Sequence, residues 1–308
     1  MKVLVTGGAG FIGSHVVDKL LSDGHSVAVV DDFSSGNELN VRKGVTYHRT
    51  NLNDPKLADV LREEKPEAIC HLAAKTNMRE SLDDPFSDIE GNVRGLVALL
   101  ELATKKYPIK KFVFSCTGGA LYGDPEYVPV DENHPTRPTS PYGISKLSGE
   151  KYLYYYNAVH NLPSISLRYS NVYGPRNERK KHNGAVTVFI QRVLKGEPIK
   201  INGSGEQTRD FIFVEDVARA NAAAVSADIK GADVCNISGG SETSVNSMIE
   251  IIEKHAGKKA QVEHAPEIKG EIMRSFMSNQ KAKDVLGWSP SASVDDGIKK
   301  TVEYFVTL

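Results

Sequence analysis

The segment SPYGISKLSGE (140–150) sets Tyr142 four residues before Lys146 in a polar, Gly- and Ser-rich opening to a helix. Residues four apart on a helix share one face. A phenol beside an ammonium ionises more readily, because the cation stabilises phenolate. A phenolate available near neutral pH is a usable general base for an alcohol. An alcohol that loses its O–H proton can give up its C–H hydrogen as hydride, provided an acceptor lies against it. Taken alone, Y-x-x-x-K is a weak signal, since most such pairs are surface residues on a helix. Its meaning depends on whether the chain supplies the acceptor.

The N-terminus does. VTGGAGFIGSH (5–15) follows an apolar strand and opens a helix. It satisfies G-x-G-x-x-G through Gly8, Gly10 and Gly13, and the wider T-G-x-x-G-x-x-G through Gly7, Gly10 and Gly13. Glycines are needed there for the tight turn, for close approach of backbone N–H groups to a pyrophosphate, and for helix–strand packing. An acid, Asp31, ends the second strand about 20 residues past the glycines, as the dinucleotide fingerprint requires. A carboxylate there accepts from the adenosine 2′- and 3′-hydroxyls and repels a 2′-phosphate. That favours NAD over NADP. The bland reading of Asp31 and Asp32 is a solvated strand end.

The elements that must hold these groups follow from the pattern. KVLVT (2–6), SVAVVDD (26–32), VTYHR (45–49), EAICHLAA (67–74), KFVFSC (111–116) and SISLRY (164–169) read as buried strands. Helices are expected from Phe11 to about Asp23, from Asp54, from about Phe86 to Lys106, and after Ser140. Continuous apolar strands alternating with helices imply a doubly wound parallel sheet of Rossmann type, covered on both faces. Ligands of such sheets bind outside the C-terminal strand ends, where Tyr142 would stand. After Tyr169 the elements shorten. Residues 1–170 are therefore expected to bind NAD and 171–308 mainly to form a smaller substrate lobe, with room for later segments to return to the first.

Composition bounds the rest. The 308 residues are 40% hydrophobic and 25% charged, with a net charge of -1, so there is no basic field for nucleic acid or an anionic membrane. No apolar run is long enough to span a bilayer, and MKVLVTGGAG breaks into glycines too early for a signal peptide. The 3 Cys (Cys70, Cys116, Cys235) form no C-x-x-C, and the 9 His lack ligand spacing. A disulfide framework and a metal site are not expected, and a reducing, cytoplasmic setting is.

In this order, several motifs resemble an extended short-chain dehydrogenase/reductase, and within that group the UDP-glucose (UDP-galactose) 4-epimerases. The resemblance covers essentially the whole chain: VTGGAGFIGSHVVDKL, HLAA (71–74), GNVRGLVALLE (91–101), SCTGGALYG (115–123), SPYGISK, LRYSNVYGPR (167–176), GSGEQTRDFIFVEDVA (203–218) and KGEIMRS (269–275). It implies that Gly7, Gly10, Phe11, Ile12 and Gly13 cover the pyrophosphate, and that Asp31, with Asp32 beside it, holds the adenosine ribose. Asn51 and Leu52 would flank the adenine; the family commonly has Asp at the place of Asn51. Leu72, Ala73, Ala74 and Lys75 would line the cofactor, with Ser115 and Tyr169 at strand ends and Asn92 supporting from the long helix. Tyr142 would be the base, Lys146 its modulator, and Thr117 the partner of the sugar's C4 oxygen. Asn171 and Arg209 would contact the UDP diphosphate, with Glu271, Arg274 and Ser275 also on the substrate side. Singly, Thr117 could be a turn residue, Asn171 an Asx turn and Arg209 a solvated charge.

The same resemblance implies the reaction. Sugar dehydratases carry an Asp-Glu pair after the Thr, and nucleotide-sugar decarboxylases a Glu; here stand Gly118 and Gly119, which transfer no proton. Oxidation at C4 should then be followed only by re-reduction on the other face, a 4-epimerisation of UDP-glucose and UDP-galactose. A tyrosine at the place of Ser275 is associated in the family with excluding N-acetyl sugars. Ser275 therefore permits UDP-N-acetylglucosamine and UDP-N-acetylgalactosamine as well. The competing readings are a dehydratase or decarboxylase, a noncatalytic NAD-binding regulator and a structural assembly protein. YLYYYN (152–157) beside the long helix is explained by the family as a homodimer contact. Two departures stand out: Ile268 replaces the usual Arg, with Lys269 next to it, and the loop RNERKKHNG (176–184) is unusually basic.

Overall fold

A computed structural model describes residues 1–178, 184–267 and 272–308. The first half builds as the alternation requires. β1 (Lys2–Thr6), α1 (Phe11–Ser22), β2 (Ser26–Asp31), β3 (Thr46–Arg49), α2 (Leu57–Glu64) and β4 (Ala68–His71) come first. Next are α3 (Met78–Asp83), α4 (Pro85–Ile89) and α5 (Gly95–Glu101), then β5 (Lys111–Thr117), the short α6 (Gly119–Tyr122), α7 (Pro141–His160) and β6 (Ser164–Tyr169). The apolar strands lose their side-chain alternation because both faces are covered: β4 and β6 are buried at every position.

The long helix expected over 86–106 is not uniform. It starts at Pro85, capped by Asp84, and winds as wider π turns at Glu90–Arg94 and Leu102–Lys106. π turns inside helices often sit at functional places, and the first carries Asn92. β4 ends at His71, short of the expected Ala74, because residues 72–75 leave the sheet to form a cavity wall.

The rest of the chain comprises β7 (Asn171–Tyr173), α8 (Ala185–Lys195), β8 (Ile199–Asn202), β9 (Thr208–Phe213), α9 (Val214–Ser226) and β10 (Ala232–Ile237). β11 (Glu242–Ser244), α10 (Val245–Ala256), β12 (Val262–Ala265), α11 (Gln280–Leu286) and α12 (Val294–Val306) complete it. Among the described residues, seven strands form one parallel sheet in the order β10-β6-β5-β4-β1-β2-β3. The order reverses between β1 and β4, the crevice where such folds bind ligands. β10 is thus a strand of the large sheet, although 62 residues separate it from β6 in the chain, and α9 packs beside α1 on the same face. A separate core, reaching from Phe11 to Phe305, joins α8, α10 and α12 to β7, β8 and β9; β7 and β9 form a small sheet with β11, in the order β11-β9-β7.

Candidate active site

Strand β1 delivers the chain into the glycine turn. Gly7 has φ +73°, and a Cβ on it would lie 2.7 Å from the Ala73 nitrogen. A Cβ on Gly13 would stand 2.0 Å from the Gly7 carbonyl oxygen. Only glycine lets the turn close and α1 begin against it. Asp31 at the end of β2 is buried and accepts from the Ala9 and Phe33 N–H groups at 2.9 and 2.8 Å. Burial raises its pKa, while those two N–H groups oppose the shift. Asp32 accepts from the Asn51 amide at 3.0 Å, so Asn51 is held at the edge of the same space.

Ser140 caps α7 by accepting from the Gly143 N–H, and Pro141 sits in its first turn. The helix therefore starts where Tyr142 and Lys146 both reach the cavity. Lys146 is buried; its Nζ donates to the Ser115 carbonyl at 2.9 Å and lies 4.9 Å from the Phe114 ring centroid. Burial lowers its pKa to about 8. His71, below it, is lowered to about 3 by burial and by the Lys146 charge, so it stays neutral. It shares a hydrogen bond with Thr6 Oγ1, which also accepts from the Ala73 N–H and so anchors the turn after β4. Thr117 ends β5 and accepts from the Ala120 N–H at 3.3 Å.

One cavity of about 900 Å³ joins these groups, open along the C-terminal ends of β1, β4 and β5. Its wall includes Gly7, Gly10, Phe11, Ile12, Gly13, Asp31, Asp32, Asn51 and Leu52. Leu72, Ala73, Ala74, Lys75, Ser115, Thr117, Tyr142, Lys146, Tyr169, Asn171 and Arg209 belong to it too. Asn92 lies behind it, its amide paired with both backbone groups of Lys75. Asn171 donates to the Asp210 carbonyl, and Arg209 to the Thr208 and Ile272 carbonyls. Arg274 and Ser275 are not on the wall. Arg274 faces solvent, paired with Glu242 at 2.5 Å, and Ser275 is half-buried beside it in the chain. Glu271, Ile268, Lys269 and residues 179–183 of the basic loop lie outside the described residues.

The structure adds wall residues that the sequence reading missed: Phe189 on α8, Lys200 and Asn202 on β8, and Gln207 before β9. Only the GSGEQTRDFIFVEDVA stretch (203–218) pointed near them, through Gln207. A Cβ on Gly118 would stand 2.1 Å from Met277 Sδ, the end of a flexible side chain that would have to move aside, whereas one on Gly119 would meet nothing within 4 Å. Met277 is held by Asp210, which accepts from its N–H at 3.1 Å and from the Gly239 N–H at 2.8 Å. Burial raises the Asp210 pKa to about 6.

A family model described as the NAD dependent epimerase/dehydratase family matches residues 3–238. The chain belongs to that family. Within it, it is a member of the UDP-glucose 4-epimerase group of extended short-chain dehydrogenases/reductases. It is similar to UDP-glucose 4-epimerase of Thermotoga maritima solved with UDP-glucose: 41% identity, TM-score 0.95, covering 100% of this chain and 99% of that one. UDP-glucose 4-epimerase of Mycolicibacterium smegmatis is 39% identical over 99% of this chain and 98% of that protein. UDP-N-acetylglucosamine 4-epimerase of Methanobrevibacter ruminantium, in complex with UDP-N-acetylmuramic acid, is 31% identical with a TM-score of 0.93, over 99% and 98% of the two chains. The family's cofactor is NAD, and the glycine turn with Asp31 at the end of β2 fits that group.

Proposed function

We propose that this protein is an NAD-dependent 4-epimerase of UDP-sugars, with UDP-glucose and UDP-galactose as its principal pair. The observation that carries the reading is the wall beside Thr117. It offers the Tyr142–Lys146 pair for an alcohol proton, while Gly118 and Gly119 put no acid or base beside it. A dehydratase or decarboxylase needs an acid or base just there. Bound NAD would supply a hydride acceptor and, once reduced, a donor. Gly7, Gly10 and Gly13 would present N–H groups to its pyrophosphate, and Asp31 would accept from its adenosine ribose.

On the protein side, Tyr142 takes the proton from the sugar's C4 hydroxyl and returns it to O4 when the 4-keto sugar is reduced on its other face. Lys146 holds the phenolate electrostatically. Thr117 steadies the C4 oxygen by a hydrogen bond. Asn171 and Arg209 orient the diphosphate from the second lobe. The reading extends to the N-acetylated pair on the family resemblance, in which a small residue at position 275 leaves the C2 side free of a bulky ring, although Ser275 itself does not line the cavity here. We also assign a homodimer through the exposed apolar side chains Met78, Leu82, Phe86 and Ile89 of α3 and α4 with Ile144, Tyr155 and Val159 of α7.

The test is direct. Purified protein with NAD is incubated with a panel of UDP-hexoses and the products are separated. Interconversion at C4 with no net NADH supports the reading. Release of a 4-keto-6-deoxy sugar or of carbon dioxide would refute it. Sedimentation velocity decides the dimer, which Phe86→Asp should break.

A further inference from the structure

We infer that Asp88 is a positioning residue for the proposed reaction: a buried carboxylate behind the cavity that fixes the Asn92 amide and supplies the negative charge balancing the Lys146 ammonium. The inference rests on the NAD-epimerase reading of the site.

Asp88 sits on α4, one helical turn before Asn92, and is 2% exposed. Its Oδ1 accepts from the Asn92 amide at 2.9 Å. Its Oδ2 is buried and makes no well-aligned hydrogen bond among the described residues, with the Ser145 hydroxyl the side-chain donor that favours its charged form. Buried carboxylate oxygens are rarely left so without a reason. The reason lies on the other side of Asn92. That amide donates to the Lys75 carbonyl at 2.9 Å and reaches Ser145 Oγ at 3.3 Å, while its oxygen accepts from the Lys75 N–H at 2.8 Å. Ser145 in turn donates to the Tyr142 carbonyl at 3.0 Å. The carboxylate thus braces the Asn92 amide in the orientation that the two Lys75 backbone bonds set, and so joins the cofactor-lining turn to the first turn of α7.

The second role is electrostatic. The charged and titratable groups around Asp88 are Lys146 of α7 and Lys75 of the turn after β4. Lys75 is exposed and donates to Ser87; Arg79, Glu80 and Asp83 of the adjoining α3 are exposed as well. Around Lys146 stand Cys116 of β5, His71 of β4, Asp88 and, one turn earlier on α7, Tyr142. Burial raises the Asp88 pKa, while the Ser145 and Asn92 hydrogen bonds and the Lys146 and Lys75 charges oppose that shift; His71 is neutral and the Cys116 thiol is pushed far up by burial, which leaves Asp88 as the carboxylate facing Lys146. An ammonium taken out of water needs such a counter-charge to stay protonated.

Asp88→Asn keeps the shape and the acceptor for Asn92 but removes the charge. Losing a nearby anion disfavours the ammonium, so the alkaline limb of the kcat profile should move to lower pH. The alkaline fall in NAD affinity, read by calorimetry without any sugar, should move with it. At neutral pH kcat should fall about 10-fold with KM little changed, well short of the ~10²–10⁴-fold loss expected for the base itself. Asp88→Glu, which keeps the charge, should restore the wild-type limb. Wild-type epimerisation is measured first, so that its absence would refute the activity and leave the calorimetric limb to judge Asp88. If the Asn variant does not fold, Asp88→Ser replaces it. A folded neutral variant with an unmoved alkaline limb overturns the inference. So does failure of every neutral variant to fold while Asp88→Glu folds, since that would make the role purely structural.

Discussion

Lys146→Met should separate activity from stability. The buried ammonium has a pKa lowered from an ordinary 10.5 to about 8, chiefly by desolvation. At about 1.4 kcal/mol for each pH unit, that gap corresponds to about 3 kcal/mol by which the charged side chain opposes folding at neutral pH. Methionine keeps most of the stem's packing and carries no charge. Against this, the Ser115 carbonyl loses the donor now 2.9 Å away, at a cost of about 1 kcal/mol. The cofactor-free variant should therefore be about 2 kcal/mol more stable than the wild type at pH 7. Between pH 8 and pH 10.5 the unfolded wild-type chain holds this proton and the folded one does not, so raising the pH through that window favours the wild-type fold. The variant's advantage should shrink across the same window. Urea unfolding midpoints at about pH 7 and about pH 10 measure it. Turnover should fall ~10²–10⁴-fold at the same time, because the phenolate loses its cation. A variant less stable than wild type at neutral pH, or a stability gap that ignores pH, would refute the reasoning.

Tyr142→Phe removes one oxygen and keeps the ring, so turnover should drop ~10²–10⁴-fold with NAD binding and thermal unfolding little changed; near-normal epimerisation by the folded variant would disprove its role as base. Asp31→Ala should narrow the preference for NAD over NADP in paired titrations. It should also cost about 1–3 kcal/mol, because the buried Ala9 N–H and the part-buried Phe33 N–H lose their acceptor. Ser275→Tyr should suppress conversion of the N-acetylated pair while sparing UDP-glucose and UDP-galactose; equal loss on both pairs would show that position 275 does not control the C2 group.

What the sequence by itself determined lies close together in the chain. Strands such as Lys2–Thr6 and Ser164–Tyr169 are legible because burial on both faces demands unbroken apolar runs. The glycine turn is legible because a Cβ at Gly7 or Gly13 would strike backbone. The Tyr142–Lys146 pair is legible because both stand on one helix face. The tertiary structure decided what distant segments do to one another. No local pattern says that Ala232–Ile237 returns to the large sheet, or that Asp210 holds Met277 over Gly118. Nor does the sequence show that Arg274 turns outward to Glu242 instead of toward the cavity. Asp88 lies between the two cases. Its spacing of four from Asn92 was visible, but a helical acid is ordinarily a solvated one. Only the packing of α4 against α7 removes it from water and gives its charge a use.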